Sequence, residues 1–481
     1  MKNKFFAFAL FCSIFMGTAS YAEPPTFSGV IQEEVDGTLQ APQTAKVLAE
    51  LKSGHIEQSL SGRLMGLAGC ATMLLIAFAL SSNRRKISWR LVGIGLGMQF
   101  LFAFIVLKTY AGRAFFDLAN SAIVKILSFS SDGAKFLFGN LIGQTVPVSS
   151  GGFANVGAMF AFGILPTIIF FSALTAVLYH LRVLEWFVRL MAFAMNKTMG
   201  TSGAESFSAA ANIFVGQTEA PLLVRPFLEK MTKSEILAVM SGGFATVAGG
   251  VMAAYVAVLM HLFPDIAGHL LAASVMSAPA SLVMAKIMIP ETEISETANA
   301  SDIRVERQGE NLLDAAARGT SDGLMLALNV GAMLIAFIAL IAMLNWIMGT
   351  VGVWVGVDGL SLEKLFSWLG APIAWLLGVP WQDAPAIGML LGTKTAVNEF
   401  VAYLQLGDQL QANTITHGKS IVIATYALCG FSNFASIGIQ IGGLSALAPS
   451  RRSDFAKLAL RGMIAGSLAC FQTAAIAGIL L

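Results

Sequence analysis

Residues 203–230 decide the fold, and their centre reads Asn-Ile-Phe-Val-Gly-Gln-Thr-Glu-Ala-Pro at 212–221. The segment is apolar, yet it is basic on both flanks, with Lys197 before it and Arg225 and Lys230 towards its end. Basic residues collect on the cytoplasmic side of a membrane, so a segment that crossed would separate these flanks. We therefore predict a membrane-embedded hairpin that enters from the cytoplasm and returns to it.

A second segment of this kind covers residues 384–404, with Asn-Glu-Phe-Val-Ala-Tyr at 398–403. If it crossed the membrane, the basic pair that begins at Arg451 would move outside, against the charge rule. We predict a hairpin that enters from the outside. Each hairpin is followed by two spans, in residues 203–289 and 384–481. Two such units of opposite orientation form an inverted repeat, which is typical of secondary transporters.

Composition agrees with a membrane protein. Of the 481 residues, 56% are hydrophobic and 12% are charged, whereas a soluble domain has about 25% charged residues. The net charge of +2, without a basic stripe, excludes a nucleic-acid partner. We predict an all-α integral membrane protein, a polytopic helical bundle with two opposed re-entrant hairpins and an inverted repeat. Its eight spans are predicted near 64–80, 89–107, 156–180, 235–260, 268–289, 324–348, 417–446 and 455–481.

The chain divides into seven parts. The first 22 residues have the basic end, apolar core and small-residue site of a secretory signal peptide. The rest is predicted to comprise a periplasmic segment (23–62), scaffold spans with interfacial helices (63–200), a first transport repeat (201–290), a cytoplasmic loop (291–322), a scaffold span with a periplasmic segment (323–380) and a second transport repeat (381–481).

Two glutamates, Glu219 and Glu399, stand in the middle of the apolar hairpins. A carboxylate at membrane depth costs about 2.5–3.5 kcal/mol even on lenient insertion scales. Such residues usually face a water-filled pathway and bind a solute or ion. The alternative is a structural ion pair, for example Glu399 with Lys394 or Glu219 with Arg225.

Neutral oxygen ligands surround the first glutamate. Between Gly216 and Pro221 the helix is expected to break, which frees backbone carbonyls for a cation or a polar solute. Asn212 lies one helical turn before Gly216, so its side-chain oxygen can join the Val215 carbonyl. In the next span, Thr246 stands among glycines and is either a hydroxyl ligand at an unwound turn or a residue bonded to its own helix.

The second unit offers groups for a hydroxyl-rich solute. Asn433 and Ser436 are three residues apart and share a helical face, with Phe431 nearby as a candidate ring contact or a plain packing residue. Gln217 can both donate to and accept from a base. With no arginine in either hairpin centre, a strongly anionic substrate is not expected.

These motifs resemble the signatures of concentrative nucleoside transporters. Gly-Gln-Thr-Glu-Ala-Pro at 216–221 and Asn-Glu-Phe-Val-Ala-Tyr at 398–403 carry the resemblance. The stretches Ser208–Pro226, Leu326–Ile341 and Ala427–Pro449 extend it to the sodium-coupled bacterial members. It covers roughly residues 64–481, nearly all of the chain after the leader.

The resemblance implies a homotrimer in the bacterial inner membrane, with spans 64–180 and 324–348 as a scaffold and the two repeats as a moving transport domain. It implies that the nucleobase faces Gln217, Thr218 and Glu219, with Val251 packed against it. It implies that the ribose is bound by Glu399, Asn433 and Ser436, beside Phe431. Sodium, the co-transported ion, would bind Asn212, the Val215 carbonyl, the Thr246 hydroxyl and the Val247 carbonyl.

Other functions remain open at this point. The family often has serine in place of Thr246, and proton-coupled relatives tend to lack the asparagine and hydroxyl. A proton-coupled carrier of a nucleoside or another polar solute is the main alternative to sodium symport. A membrane enzyme with the two glutamates as acid and base is disfavoured, since no nucleophile, metal cluster or phosphate loop accompanies them. Two broken hairpins at mid-membrane also disfavour a passive channel.

Overall fold

The structure is a computed structural model that describes residues 60–142, 145–147, 153–155, 160–298, 309–357 and 359–481. The predicted signal peptide and almost all of the predicted periplasmic segment lie outside the described residues. Helices make up nearly all of the described chain. One short antiparallel pair, β1 (Thr145–Pro147) and β2 (Phe153–Asn155), is the exception.

In the described part of the chain, six α-helices precede the first predicted hairpin. Ser88 and Thr109 cap the second and third of them, since each side-chain oxygen accepts from a backbone N–H three residues on. The six are α1 (Leu60–Ala79), α2 (Trp89–Lys108), α3 (Tyr110–Phe138), α4 (Phe160–Gly163), α5 (Leu165–His180) and α6 (Val183–Met199).

The first repeat is a pair of short helical segments, a broken helix and a long helix. Pro221 and Pro226 lie at starts of helical segments, where the missing N–H costs no bond. The order is α7 (Gly203–Ala211), a 3-10 helix (Ala220–Val224), α8 (Arg225–Leu228), α9 (Lys233–Ala245), α10 (Gly249–Leu259) and α11 (Ile266–Met288).

The second repeat has the same order of elements. Between the repeats lie α12 (Leu312–Val355) and α13 (Leu362–Leu376). The repeat itself consists of α14 (Ala384–Ala396), α15 (Glu399–Gln411), α16 (Gly418–Leu428), α17 (Phe434–Leu447) and α18 (Arg452–Leu480).

Seven helical stretches of the described chain are long and apolar enough to cross a membrane. They correspond to seven of the eight predicted spans. The eighth, predicted at 417–446, is split into the shorter apolar helices α16 and α17 by a break at residues 429–433. The all-helical membrane class is confirmed, while the number of spans and the re-entrant path of the hairpins stay predictions.

The long helix α12 begins ten residues before the end of the predicted cytoplasmic loop at residue 322. Asn311 caps it by accepting from the Asp314 N–H at 3.0 Å. Asp314 then pairs with Arg318 one turn later, at 3.0 Å. Polar composition suggested a loop, but a cap followed by an i,i+4 ion pair is also how a solvated helix begins.

The buried centre of the molecule is built from the two repeats. In the most apolar part of Lys233–Leu259, 94% of the residues are buried, against 11% in Leu312–Trp354. Helix α12 packs mainly on α5, and α18 packs on α9 and α11. Helices α1 and α2, predicted as scaffold, pack on α11 and α18. The predicted assignment of all early spans to one scaffold therefore stays a prediction.

In each repeat, a side-chain hydrogen bond connects the start of the hairpin to the start of the broken helix. The Ser202 hydroxyl donates to Glu235 over 2.6 Å in the first repeat, and the Ser420 hydroxyl donates to Asp383 over 2.6 Å in the second. Ser202 and Asp383 immediately precede the first hairpin helices, while Glu235 and Ser420 are the third residues of α9 and α16. In both repeats, a hydroxyl–carboxylate hydrogen bond therefore connects the start of the hairpin to the start of the broken helix. The hydroxyl belongs to the hairpin side in the first repeat and to the broken helix in the second.

A buried ion pair reinforces this end of the first repeat. The Lys286 ammonium lies 2.7 Å from Glu205, and both side chains are almost fully buried. Lys286 also donates to Ser234 at 3.0 Å and reaches Glu291 at 3.2 Å. Helices α7, α9 and α11 therefore share one charged junction.

Candidate functional site

Glu399 lies where the two repeats meet. Its carboxylate accepts one hydrogen bond from the Tyr255 hydroxyl and one from the Asn433 amide, each at 2.9 Å. Tyr255 belongs to α10 of the first repeat, and Asn433 precedes α17 of the second. All three side chains are buried. The arrangement holds a carboxylate with both oxygens oriented by neutral donors.

Local sequence explains how Glu399 is placed. Asn398 caps α15 by accepting from the Val401 N–H at 2.9 Å, which makes Glu399 the first helical residue. Asn433 caps α17 in the same way, accepting from the Ser436 N–H at 2.8 Å. A helix N-terminus stabilises a negative charge, so the backbone of α15 favours a carboxylate at this position.

Gln217 joins the first hairpin to the same helix α17. Its amide nitrogen donates to the Ser436 hydroxyl at 3.2 Å, and its carbonyl oxygen accepts from Gln440 at 3.1 Å. Gln440 also donates to the Met240 carbonyl at 3.1 Å. The structure therefore brings together Gln217 and Ser436, which are 219 residues apart in the chain.

Glu219 and Thr218 lie in the turn between α7 and the 3-10 helix. The Glu219 carboxylate accepts from the Gly216 N–H at 3.2 Å, and the side chain is partly accessible. Thr218 is exposed, and its methyl group lies beside Gly443 of α17. These two residues are thus the accessible part of the predicted set in the first hairpin.

A cavity of roughly 780 Å³ opens beside Glu219. It lies between α5 and α12 on one side and the first hairpin with α10 on the other. Val215 and Glu219 are the predicted site residues that line it. Its other polar lining comes from Ser172, Thr175, Tyr179, Arg225, Glu229, Arg318 and Asp322. Its size is within the usual range for small-molecule sites, and charged side chains are part of its lining.

The candidate cation ligands lie at the break between α9 and α10. The Asn212 amide nitrogen donates to the Ser208 carbonyl at 2.9 Å, while its side-chain oxygen is buried and has no hydrogen-bond partner among the described residues. Asn212 borders Gly242, whose carbonyl accepts from the Thr246 hydroxyl at 2.9 Å. Thr246 is extended and ends α9. The Thr246 hydroxyl is therefore bonded to its own helix, and its role as a cation ligand, for which its oxygen keeps lone pairs, stays a prediction.

The Val215 and Val247 backbones belong to the same corner. Both residues are buried, one in the hairpin turn and one in the break. The Gly249 N–H donates to the Phe214 carbonyl at 3.0 Å and ties the turn to the start of α10. A buried oxygen without a donor costs about 1–3 kcal/mol. The unpartnered Asn212 oxygen therefore fits a bound cation of the sodium type.

The breaks of the two repeats touch each other. The Phe431 N–H donates to the Thr246 carbonyl at 3.3 Å. Gly430 has φ of +128°, and a Cβ there would lie 2.7 Å from the Phe244 carbonyl oxygen. Only glycine allows this approach. The candidate cation corner and the Glu399 corner are thus neighbours in space.

The remaining predicted residues are less directly connected. Val251 is buried in the first turn of α10, and Phe431 is half-buried in the break before α17. The alternative ion pairs do not form between the described residues: Lys394 donates instead to the Ala427 carbonyl at 2.8 Å, and Glu219 accepts from Gly216.

Sequence reasoning missed Tyr255 and Gln440. Tyr255 stands one helical turn after Val251, and Gln440 stands one turn after Ser436, so each shares a helical face with a predicted residue. A tyrosine and a glutamine inside apolar helices were the available signals. Their partners, Glu399 and Gln217, lie in the other repeat and become visible only in three dimensions.

The chain matches three models of known protein families. Residues 68–141 match the N-terminal part of the family described as Na⁺ dependent nucleoside transporter, and residues 269–478 match its C-terminal part. Residues 161–262 match a family described as nucleoside recognition. Together these regions cover most of the chain.

Similar proteins come from bacteria and mammals. An uncharacterized transporter of Haemophilus influenzae is 44% identical over 86% of this chain and 97% of its own. Sodium/nucleoside cotransporter 1 of Rattus norvegicus is 40% identical over 87% of this chain and 64% of its own.

Solved structures of CNTnw share the fold. An inward-facing, substrate-bound state is 42% identical, covers 87% of this chain and 97% of its own, and has a TM-score of 0.80. A variant in an outward-facing state has a TM-score of 0.81 at the same identity and the same coverage. Both sequence and fold therefore lead to one family. The chain belongs to the concentrative, Na⁺ dependent nucleoside transporters, which are membrane transporters and not enzymes.

Proposed function

We propose that this protein imports nucleosides by symport with sodium, through alternating access of a transport domain made from the two repeats. The observation that carries the proposal is the Glu399 junction. A buried carboxylate with two neutral donors lies beside the Gln217–Ser436 pair, at the contact between two broken helices. Such a site suits a neutral solute that has both hydroxyls and a hydrogen-bonding edge.

The ribose would bind in the second repeat. Its hydroxyls would donate to Glu399, making charge-assisted bonds that are stronger than neutral ones. Asn433 and Ser436 would complete this part of the site, and Phe431 would lie beside the ring. For the ribose to enter, the bond from Tyr255 or from Asn433 to the carboxylate has to be shared or exchanged.

The nucleobase would bind towards the first hairpin. Gln217 offers a donor and an acceptor on one amide, Thr218 a hydroxyl and Glu219 a carboxylate, directly or through water. Val251 would supply an apolar contact. Because Gln217 already bonds with Ser436 and Gln440, binding exchanges these bonds for bonds with the base.

Sodium would bind at Asn212, the Val215 carbonyl, the Thr246 hydroxyl and the Val247 carbonyl. These are neutral oxygens, which suit a hard monovalent cation. The Thr246 carbonyl accepts from the Phe431 N–H. A sodium ion bound beside Thr246 would therefore affect the position of the break that contains Asn433. Linkage then requires that sodium and nucleoside strengthen each other's binding.

The cavity beside Glu219 would be the path to the cytoplasm. Its lining includes Arg225 and Arg318, and the charge rule predicts a cytoplasmic location for these two residues. The conformation described here would then be an inward-facing one. In the opposite state, the transport domain would expose the Glu399 junction to the periplasm.

The protein would act as a homotrimer in the bacterial inner membrane. The large exposed apolar side chains of α12 support contact with lipid or with other protomers, since such a surface is unstable in water. They include Ile335, Leu340, Trp346 and Trp354.

Uptake of radiolabelled uridine into proteoliposomes tests the proposal. Three gradients are compared: inward sodium, inward protons, and potassium alone. We expect accumulation above equilibrium only with sodium, and competition by unlabelled nucleosides. Accumulation with protons alone would identify a proton-coupled carrier, and equilibration without accumulation would identify a channel.

A further inference from the structure

The two repeats correspond element by element, although the residues differ. Helix α7 corresponds to α14, and the break after α9 corresponds to the break after α16. The bonds Ser202–Glu235 and Ser420–Asp383 mark equivalent junctions at the other ends of these helices. A feature of one break can therefore be compared with its counterpart in the other.

Both breaks leave the C-terminus of a helix inside the protein. The last carbonyls of a helix have no intrahelical partner, and they carry a partial negative charge. Within the buried core, these carbonyls need hydrogen-bond donors or a cation, and the partial negative charge favours a cation. Helices α9 and α16 both end in this way, at Ala245 and Leu428.

In the first repeat this end is bound by neutral groups only. Among the described residues, the carbonyls near the end of α9 accept from the Thr246 hydroxyl and the Phe431 N–H. The Asn212 side chain, from the first hairpin, borders this turn at Gly242 and keeps an unpartnered buried oxygen. This is the corner to which the proposed function assigns sodium.

In the second repeat a lysine occupies the corresponding corner. Lys394 belongs to α14, is 1% exposed, and donates from its ammonium to the Ala427 carbonyl at 2.8 Å. The Tyr403 hydroxyl donates to the Thr425 carbonyl at 2.7 Å, and the Cys470 thiol donates to the Cys429 carbonyl at 2.7 Å. Lys394 is thus a cation from the hairpin set against the end of the broken helix.

The buried Glu399 carboxylate attracts the charge of Lys394 through space, but it does not form a contact ion pair with it. No carboxylate of the described residues lies within ion-pair distance of its nitrogen, and the Phe471 ring centroid is 6.0 Å away. An isolated buried cation is expensive unless it meets a strong acceptor. The carbonyls at the end of α16 are the acceptors present.

We propose that Lys394 is a tethered cation, which fills in the second repeat the place that sodium takes in the first. This inference rests on the proposed function, because it uses the sodium corner as its reference. Lys394 holds the end of α16 permanently, so the turn that carries Asn433 is ordered before any ion arrives. Only the first repeat then needs a sodium ion to order the end of its broken helix. Lys394 acts as a positioning residue for Asn433 and, through it, for Glu399.

Chemical rescue separates the charge of Lys394 from its bulk. Lys394→Ala removes the ammonium and leaves space, and uridine binding is measured at saturating sodium with either ethylammonium chloride or ethanol added. We expect binding to weaken by about tenfold, since the lost bond involves a charged donor. Ethylammonium should restore it, and ethanol, which has a similar size without the charge, should not. Equal rescue by both compounds would overturn the inference.

Lys394→Met is the matched variant that keeps length and loses charge. It should bind uridine as weakly as Lys394→Ala and should not respond to ethylammonium, because the space is filled. Wild-type affinity in this variant would overturn the proposal. If the wild-type protein itself fails to bind uridine with sodium, the proposed function is wrong, whatever these variants do.

A sodium titration of the wild-type protein gives a test that needs no variant. If Lys394 already fills the second corner, each protomer binds one sodium ion with its nucleoside. With independent protomers, nucleoside binding should then depend on sodium with a Hill coefficient of about 1, since this coefficient cannot exceed the number of coupled sites. A coefficient of about 2 would indicate a second sodium site and overturn the inference. This titration decides the matter if neither lysine variant folds.

Discussion

The Tyr255 hydroxyl donates to the Glu399 carboxylate at 2.9 Å, and this bond joins the two repeats across 144 residues of sequence. Tyr255 also stacks on Tyr403, with ring centroids 4.4 Å apart. The tyrosine is therefore held on its ring and on its hydroxyl. Glu399, in turn, is held in one orientation before substrate arrives, which lowers the cost of ordering it during binding.

Tyr255→Phe should weaken nucleoside binding without preventing folding. The ring and its stacking remain, while a buried carboxylate loses one donor, worth about 1.5–3 kcal/mol. We expect a rise in the KM for uridine of at least tenfold, measured at saturating sodium. Tyr426→Phe is the matched control, since the hydroxyl of this buried tyrosine contacts the His269 ring nitrogen at 3.4 Å and no carboxylate among the described residues. Equal effects of the two variants would contradict a specific role for Tyr255.

Glu399→Gln should abolish uptake. The variant keeps the size of the side chain but removes the charge that strengthens bonds from the ribose hydroxyls. We expect near-complete loss of uridine transport with normal insertion and normal behaviour in gel filtration. Near-wild-type uptake would remove Glu399 from the substrate site.

Asn212→Ala and Thr246→Ala should change the response to sodium before the response to nucleoside. Each removes one neutral oxygen from the proposed ion corner, so half-maximal uptake should need more sodium, and high sodium should partly restore transport. Thr246→Ser should be mild because the hydroxyl remains.

The second repeat offers a control for the threonine. The Thr425 hydroxyl donates to Ile421 at 2.8 Å in α16, as Thr246 donates to Gly242 at 2.9 Å. Thr425→Ala should therefore leave the sodium dependence unchanged. Unaltered sodium dependence in both Asn212→Ala and Thr246→Ala would place the ion elsewhere.

Gln440→Leu should affect nucleoside recognition and leave the sodium response unchanged. Gln440 orients Gln217 by donating to its carbonyl oxygen at 3.1 Å. Its removal frees the Gln217 amide to rotate, which should raise the KM for uridine severalfold, by about 1 kcal/mol for one neutral hydrogen bond. Competition assays with purine and pyrimidine nucleosides should show altered preference. An unchanged KM and unchanged preference would make Gln440 a packing residue.

Lys286→Met should destabilise the protein strongly. It leaves Glu205 as a buried charge without its partner at 2.7 Å, which typically costs about 3–5 kcal/mol. We expect a clear drop in melting temperature in detergent. Adding Glu205→Gln should recover part of it, because the unpaired charge is then gone. A double variant as unstable as the single one would show that the charge is not the cause.

Much of the architecture was predictable because membrane proteins are constrained by simple rules. Apolar length gave seven of the predicted spans, while the re-entrant path of the two hairpin segments, inferred from the distribution of lysine and arginine, stays a prediction. Glu219 and Glu399 were identifiable as site candidates since charged residues are costly in apolar segments. The capping residue Asn398 stands next to Glu399, so even its placement at a helix start is a local property.

Other features depended on the tertiary structure. The break at 429–433 divides an apolar segment, and its backbone groups find partners in distant parts of the chain: the Phe431 N–H donates to the Thr246 carbonyl, and the Cys429 carbonyl accepts from the Cys470 thiol. The partners of Glu399 and Gln217 come from the opposite repeat. Hydropathy describes each segment's relation to lipid, whereas hydrogen bonds between segments distant in sequence depend on how the helices pack. The sequence by itself thus determined which polar groups enter the membrane, and only packing decided which of them meet.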